Sequence, residues 1–205
     1  MVRPVVVVDF GAGNLKSVVK AVRYLGREVR VTRSAQDILE APTLILPGVG
    51  AASPALEELE AGGLAEPLKR AVQGGRPFLG ICLGLQVLFE FTEEGDRPCL
   101  GLLKGRVKRL PPGLKVPHMG WNLVRQKRPH PLFDGVPNPS FFYFVHSYYP
   151  APEDDGVVAG ETEYGLPFSS VIIRDNLVAT QFHPEKSGQL GLQVLRNFLA
   201  LSASL

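Results

Sequence analysis

The sequence has little cysteine, little histidine and almost no excess charge. Its 205 residues include two cysteines and four histidines, and 22 basic against 20 acidic residues leave a formal net charge of +2. Two cysteines cannot build a disulfide framework, and the scattered histidines show no zinc-ligand spacing, so neither a metal nor a cofactor is expected. Near-balanced charge argues against a nucleic-acid or membrane-surface binder. Long apolar runs are absent too: none approaches the ~20 residues of a membrane helix. The opening Met-Val-Arg-Pro-Val-Val-Val-Val-Asp is too short for a signal segment and soon meets an acid. Cys82 and Cys99 therefore read as free thiols of a reducing compartment, and the protein as cytoplasmic.

What is present is an ordinary globular composition, 45% hydrophobic and 20% charged. With no linker, repeat or low-complexity tract, residues 1–205 read as a single domain. The first half alternates two periods. Val5–Val8 is a continuous β-branched run, as in a strand buried on both faces of a parallel sheet. After the turn Gly11-Ala12-Gly13-Asn14, Leu15, Val18, Val19, Val22 and Leu25 recur at helical spacing, and Gly26 offers a stop. Strands follow at Glu28–Thr32, Thr43–Leu46 and Pro77–Ile81. Ser53-Pro54 predicts the start of a helix near Ala55, and Leu83–Phe91 reads as another helix. This order predicts an α/β fold with a central, mostly parallel sheet flanked by helices.

The second half loses that regularity. Arg106–Leu110, Trp121–Arg125, Phe141–Val145, Val157–Glu161, Ser169–Arg174 and Leu177–Gln181 read as strands with little helix between them, which predicts an antiparallel extension on one edge of the sheet. Arg174-Asp175-Asn176-Leu177 is a hairpin turn. Leu190, Val194, Leu195, Phe198 and Leu199 form one face of a closing helix.

The chemistry concentrates at two motifs. Gly80-Ile81-Cys82-Leu83-Gly84 sits at a strand-to-helix junction. A nucleophile there needs a tight, strained turn, and flanking glycines remove side chains that would clash. The Leu83 N–H opens the helix and can donate to an oxyanion, while the helix dipole favours a thiolate. A buried, inert cysteine between packing glycines is the alternative. A hundred residues on, Pro184 biases His183 toward an extended conformation, so that His183 and Glu185 share one side of the chain. Taken alone, this is a base and its orienting carboxylate, or a surface histidine in a loop leading into a helix; with the cysteine elbow it favours a triad.

Gly80-Ile81-Cys82-Leu83-Gly84-Leu85-Gln86 together with His183-Pro184-Glu185 resembles the class I, triad-type glutamine amidotransferases. The resemblance implies that Cys82 attacks the carboxamide of glutamine, His183 carries the proton to departing ammonia, and Glu185 holds His183. Gln86 matches a position that contacts the substrate. Within that family, Asp9-Phe10-Gly11-Ala12-Gly13-Asn14, Pro47-Gly48-Val49-Gly50, Pro117-His118-Met119-Gly120-Trp121-Asn122 and Phe144-Val145-His146-Ser147-Tyr148 are similar to segments of the glutaminase subunits of imidazole glycerol phosphate synthases. Gln181-Phe182-His183-Pro184-Glu185-Lys186-Ser187 fits them as well. The implied partner is a (β/α)8-barrel cyclase subunit in a heterodimer. It receives the ammonia for a phosphoribulosyl formimino ribotide and yields imidazole glycerol phosphate and an aminoimidazole carboxamide ribotide.

The same resemblance assigns an oxyanion role to the Val49–Gly50 peptide beside Leu83, and glutamine contacts to Gly48, His146, Ser147 and Tyr148. From the residues alone, Pro47-Gly48-Val49-Gly50 is a turn after a strand, and His146 is either a pocket wall or a satisfied buried polar group. Asn14, Trp121 and Lys186 are the candidates for the partner interface; a core aromatic is the other reading of Trp121. Ala51-Ala52-Ser53 departs from the bulkier aromatic stretch expected after Gly-Val-Gly. Cys99, His118 and His130 need no catalytic role, and His130 reads as solvated in a proline-rich loop. Two competing readings remain. One is the glutaminase of another synthase or a free-standing γ-glutamyl hydrolase. The other is a nucleotide-binding module on Gly11-Ala12-Gly13, which Lys16 in place of the third glycine and Arg33 in place of an acid both oppose.

Overall fold

Val5–Val8 forms β1 with all its side chains buried, as a strand covered on both faces requires. The computed structural model of the chain describes residues 4–11 and 13–204. Ala12 of the expected first turn and Met1-Val2-Arg3 of the opening segment lie outside them. Helix α1 (Leu15–Tyr24) buries Val18, Ala21 and Val22 and ends before Gly26, whose φ of 79° takes the chain into β2 (Val29–Thr32). Helix α2 (Ala35–Glu40) begins where the Ser34 hydroxyl accepts the Asp37 N–H. Then come β3 (Leu44–Gly48), α3 (Ala52–Ala61), α4 (Ala65–Gln73), β4 (Phe78–Cys82) and α5 (Leu83–Gln86). Neither α2 nor α4 is among the elements expected from the sequence; α2 buries only Ile38, and α4 buries Leu68, Ala71 and Val72.

The rest is strand-rich: β5 (Phe89–Thr92), β6 (Arg97–Pro98), β7 (Leu103–Arg109), β8 (His118–Gln126), β9 (Ser140–His146), β10 (Tyr148–Pro152), β11 (Val158–Glu163), β12 (Pro167–Arg174) and β13 (Leu177–Thr180), closed by α6 (Gly188–Ser204). A nine-stranded sheet runs β2-β1-β3-β4-β13-β12-β11-β8-β9. Pairing is parallel from β2 to β13 and antiparallel from β13 outward, which is the mixed sheet the sequence predicts. The turn at Asp175 (φ 50°) joins β12 to β13 as the expected hairpin. Along β1, Val6 and Val8 enter one core with Leu46, Leu56, Leu68 and Phe78, while Val5 and Val7 enter the other with Val22, Ile81, Leu195 and Phe198. The sheet is thus a middle layer between two helical layers.

Three expectations need correction. The helix expected over Leu83–Phe91 stops at Gln86, and Phe89–Thr92 is strand β5, pairing with β7 and β6 in a separate four-stranded sheet β10-β7-β5-β6. Short apolar runs satisfy either period, and here pairing with Leu103 and Val107 decides for strand. Ser53 does not cap α3. The helix starts at Ala52, whose N–H donates to the Glu94 carboxylate at 2.6 Å, and the Ser53 hydroxyl donates to the Glu94 carbonyl. Finally, β3 runs through Pro47 and Gly48, so the turn begins only at Val49.

Candidate active site

Cys82 ends β4 with φ 54° and ψ −105°, a left-handed region that costs a non-glycine residue about 1–3 kcal/mol unless the surroundings enforce it. They do. A Cβ on Gly80 would lie 2.7 Å from the Gly84 carbonyl oxygen, and one on Gly84 would collide with the Leu46 carbonyl oxygen. The glycines therefore let α5 pack its backbone directly on β4 and β3, which drives Cys82 into the elbow. Helix α5 is a single turn, so the expected dipole contribution shrinks to its leading N–H groups, Leu83 among them, which have no partner within the helix.

The register Thr180↔Ile81 sets the end of β13 beside the end of β4. The chain leaving β13 carries His183, which is extended, into a one-turn 3-10 helix at Pro184–Lys186. That turn, rather than a continuing extended segment, brings Glu185 back: its Oε1 lies 2.9 Å from His183 Nδ1, and both side chains are 1% exposed. Nδ1–H donates to the carboxylate, so Nε2 is the nitrogen left to exchange a proton with Cys82. Burial pulls the His183 pKa down, but the Cys82 sulfur and the Glu185 carboxylate outweigh it and raise it to about 10. Nε2 completes no hydrogen bond, and Cys82 is its electrostatic neighbour. The Cys82 thiol instead donates to the Val145 carbonyl at 3.7 Å. Such loose pairing is normal before a substrate tightens a catalytic site.

Cys82 opens into a cavity of about 190 Å³ lined by Gly50, Leu83, Gln86, Glu94, Pro117, Val145, His146, Ser147 and Tyr148. Of the expected substrate contacts, Gln86, His146, Ser147 and Tyr148 line it. Gly48 does not: it lies in β3, where a Cβ would come 2.8 Å from Leu83 Cβ. Gly50 (φ 101°) lines the cavity with nothing within 4 Å of its would-be Cβ; Val49 precedes it outside the lining. His146 is buried, its Nδ1–H donating to the Tyr148 carbonyl at 2.8 Å, and its Nε2 accepts from His118 Nδ1 at 2.9 Å. His146 thus lines the cavity and is at the same time a satisfied buried polar group. Burial pushes its pKa down to about 3, and that of His118 to about 4.

The interface candidates lie apart from one another in burial. Trp121 is 56% exposed on β8, which excludes the core-aromatic reading, and Lys186 is exposed. Asn14 is half-buried at the start of α1, where its Oδ1 accepts from Ser17. His130 is half-buried and not simply solvated, because its Nδ1 accepts the Leu132 N–H. Cys99 is half-buried and its thiol is pushed up to about 12 by burial, against the pull of Arg97. Sequence reasoning missed two residues of the site. Glu94 follows β5, where the sequence predicts helix, and among the described residues it is the one acid lining the cavity. Gln181, wholly buried, donates to Cys82 Sγ at 3.6 Å; it stood in the quoted motif two residues before His183 without a role. Among the described residues no helix is long and apolar enough to cross a membrane, and no cluster of His, Cys, Asp or Glu could hold a metal ion.

Comparison with known proteins bears on the same residues. "Imidazole glycerol phosphate synthase subunit HisH" of Dehalococcoides mccartyi (strain ATCC BAA-2266 / KCTC 15142 / 195) is 51% identical over 199 residues, covering 97% of both chains. The protein of that name from Moorella thermoacetica is 54% identical over 197 residues, covering 96% of this chain and 94% of its own. A solved glutamine amidotransferase superposes with a TM-score of 0.77 at 21% identity, covering 97% of this chain and 98% of its own. The PurLQS structure from Thermotoga maritima gives 0.77 at 19% identity over 98% and 99%. At such identities the structures speak for the fold alone. The pattern "Glutamine amidotransferase class-I" matches residues 6–201, a span that runs from β1 into α6 and takes in the elbow, the cavity and the His183–Glu185 pair. The chain belongs to the class-I glutamine amidotransferase family.

Proposed function

We propose that the chain hydrolyses glutamine to glutamate and ammonia as the glutaminase subunit of an imidazole glycerol phosphate synthase in histidine biosynthesis. The single observation that carries the chemistry is the buried His183–Glu185 hydrogen bond of 2.9 Å beside a cysteine strained to φ 54°. The pathway rests on relatives of that name, about half identical over nearly their whole lengths.

Cys82 is the nucleophile. The proton that the Cys82 thiol gives up is held on His183 Nε2, whose raised pKa favours it there; Sγ bonds to the carboxamide carbon as the thiolate, while Glu185 orients the ring and stabilises the imidazolium. His183 then protonates the departing nitrogen, ammonia leaves, and a water activated by the same base cleaves the thioester to glutamate. The developing oxyanion takes the Leu83 N–H and, once the Val49–Gly50 peptide rotates, an N–H from that peptide. The open space around Gly50 makes such a rotation cheap. Glutamine is a zwitterion: the Glu94 carboxylate suits its ammonium, and Gln86, His146, Ser147 and Tyr148 enclose the rest. The chemistry calls for no cofactor.

Ammonia is mostly protonated near neutral pH, and ammonium is not a nucleophile, so release to bulk water would waste it. A partner closing over the cavity mouth avoids that loss. The partner is a cyclase subunit with a (β/α)8 barrel, docked through Asn14, Trp121 and Lys186. Exposed Met119 (61%) and Phe141 (55%) beside Trp121 support that face. Residues 1–205 act as one domain, in the cytoplasm. Glutamate release by the purified chain, alone and with a cyclase subunit plus its nucleotide, tests the proposal. Basal turnover should be low and rise with the partner, and Cys82→Ala should abolish it while the complex still assembles. Continued hydrolysis by that variant refutes the mechanism, and full activity of the isolated chain refutes partner activation.

A further inference from the structure

One backbone carbonyl dictates the direction of a buried string of side chains. The Tyr148 oxygen accepts from Gln86 Nε2 at 2.8 Å and from His146 Nδ1 at 2.8 Å. A carbonyl only accepts, so the end of Gln86 facing it is the NH2 group. The second proton of that NH2 points to Gln181 Oε1 at 3.1 Å, which leaves the NH2 of Gln181 facing Cys82 Sγ at 3.6 Å. Reversing Gln86 would set oxygen against oxygen, and reversing Gln181 would set NH2 against NH2. Gln181 is 0% and Gln86 5% exposed, so solvent cannot relieve either clash.

We propose that Gln181 is a positioning residue that donates to the Cys82 sulfur once it is a thiolate and locks Gln86 with only its Oε1 free for the substrate. The proposal rests on Cys82 being the nucleophile. The other hydrogen-bond partner of Sγ is the Val145 carbonyl, which can hold a thiol but repels a thiolate. Besides His183, Gln181 supplies the donor that a negative sulfur needs. Its second effect is on specificity. An Oε1 presented to the cavity accepts from an ammonium or a carboxamide NH2 and repels a carboxylate, which favours glutamine over the glutamate it becomes.

The test is the rate of Cys82 alkylation by iodoacetamide as a function of pH, followed by mass spectrometry on the full chain in a Cys99→Ser background. The titratable groups facing the sulfur are His183 and, around the cavity, His146, Tyr148 and Glu94; the substitution alters none of them. Gln181→Met and Gln181→Leu keep the volume and remove the donor. Both should move the midpoint of the rate profile upward by about one pH unit. They should also bring the KM for glutamine up and weaken discrimination against glutamate. A merely structural role would lower the melting temperature without moving the midpoint. Coincident midpoints in wild type and either folded variant overturn the proposal. Alkylation needs no glutamine, so a chain that released no glutamate even with the cyclase subunit bound would refute the proposed function while leaving this comparison intact.

Discussion

At the scale of single residues, the site works by fixing which atoms donate and which accept. Glu185 accepts from His183 Nδ1, and that one bond fixes Nε2 as the nitrogen that gains and loses the proton. Glu185→Gln can present an NH2 there and select the other tautomer, so kcat should fall by roughly 10²–10⁴ with far less change in folding. Steady-state kinetics beside a thermal melt checks this. The buried histidines also tie stability to pH, in opposite directions. His146 and His118 have pKa values lowered to about 3 and about 4, so the native state binds fewer protons than the unfolded chain. Their contribution is complete above the unfolded value near 6.5 and is lost as pH falls through 4 and 3. His183 is raised to about 10, so its contribution is complete below about 6.5 and is lost as pH rises through 10. Urea unfolding followed from pH 3 to pH 10 should therefore show a stability maximum between those limits, and His118→Gln should flatten the acid side.

At the scale of elements, the elbow depends on backbone contact between α5 and the strands beneath it. Gly84→Ala would drive a methyl into the Leu46 carbonyl, so we expect a loss of about 3 kcal/mol or more and no glutaminase activity in what folds, measured by urea unfolding and glutamate release. Local signals made this part of the fold legible. The β-branched run Val5–Val8, the strand into Cys82 and the spacing of α1 and α6 all appear as read, because both faces of these strands and one face of each helix are buried. Elements decided by distant partners were not legible. Phe89–Thr92 takes its state from β7, and the start of α3 takes its cap from Glu94, about forty residues away. The site divides in the same way. Cys82, His183 and Glu185 stand in short motifs, whereas Glu94 and Gln181 acquire meaning only when β4, β5 and β13 meet around the cavity.

At the scale of the whole molecule, the parallel sheet gathers the carboxyl ends of β3, β4 and β13 on one edge, and the antiparallel extension leaves Trp121, Met119 and Phe141 exposed on β8 and β9. A subunit of near-neutral charge with a small zwitterionic substrate and an exposed aromatic face is suited to a protein partner. Trp121→Ala should weaken the complex with the cyclase subunit about 30-fold or more by calorimetry, while Cys82 alkylation stays unchanged. The central claim is that nitrogen released at Cys82 passes directly to the synthase reaction. Amide-¹⁵N glutamine supplied to the assembled complex in an excess of unlabelled ammonium tests it most directly. The account predicts that imidazole glycerol phosphate carries the ¹⁵N at nearly the enrichment of the glutamine, and that Cys82→Ala eliminates the label. Product labelled no more than the bulk ammonium, or label that survives in Cys82→Ala, would contradict it.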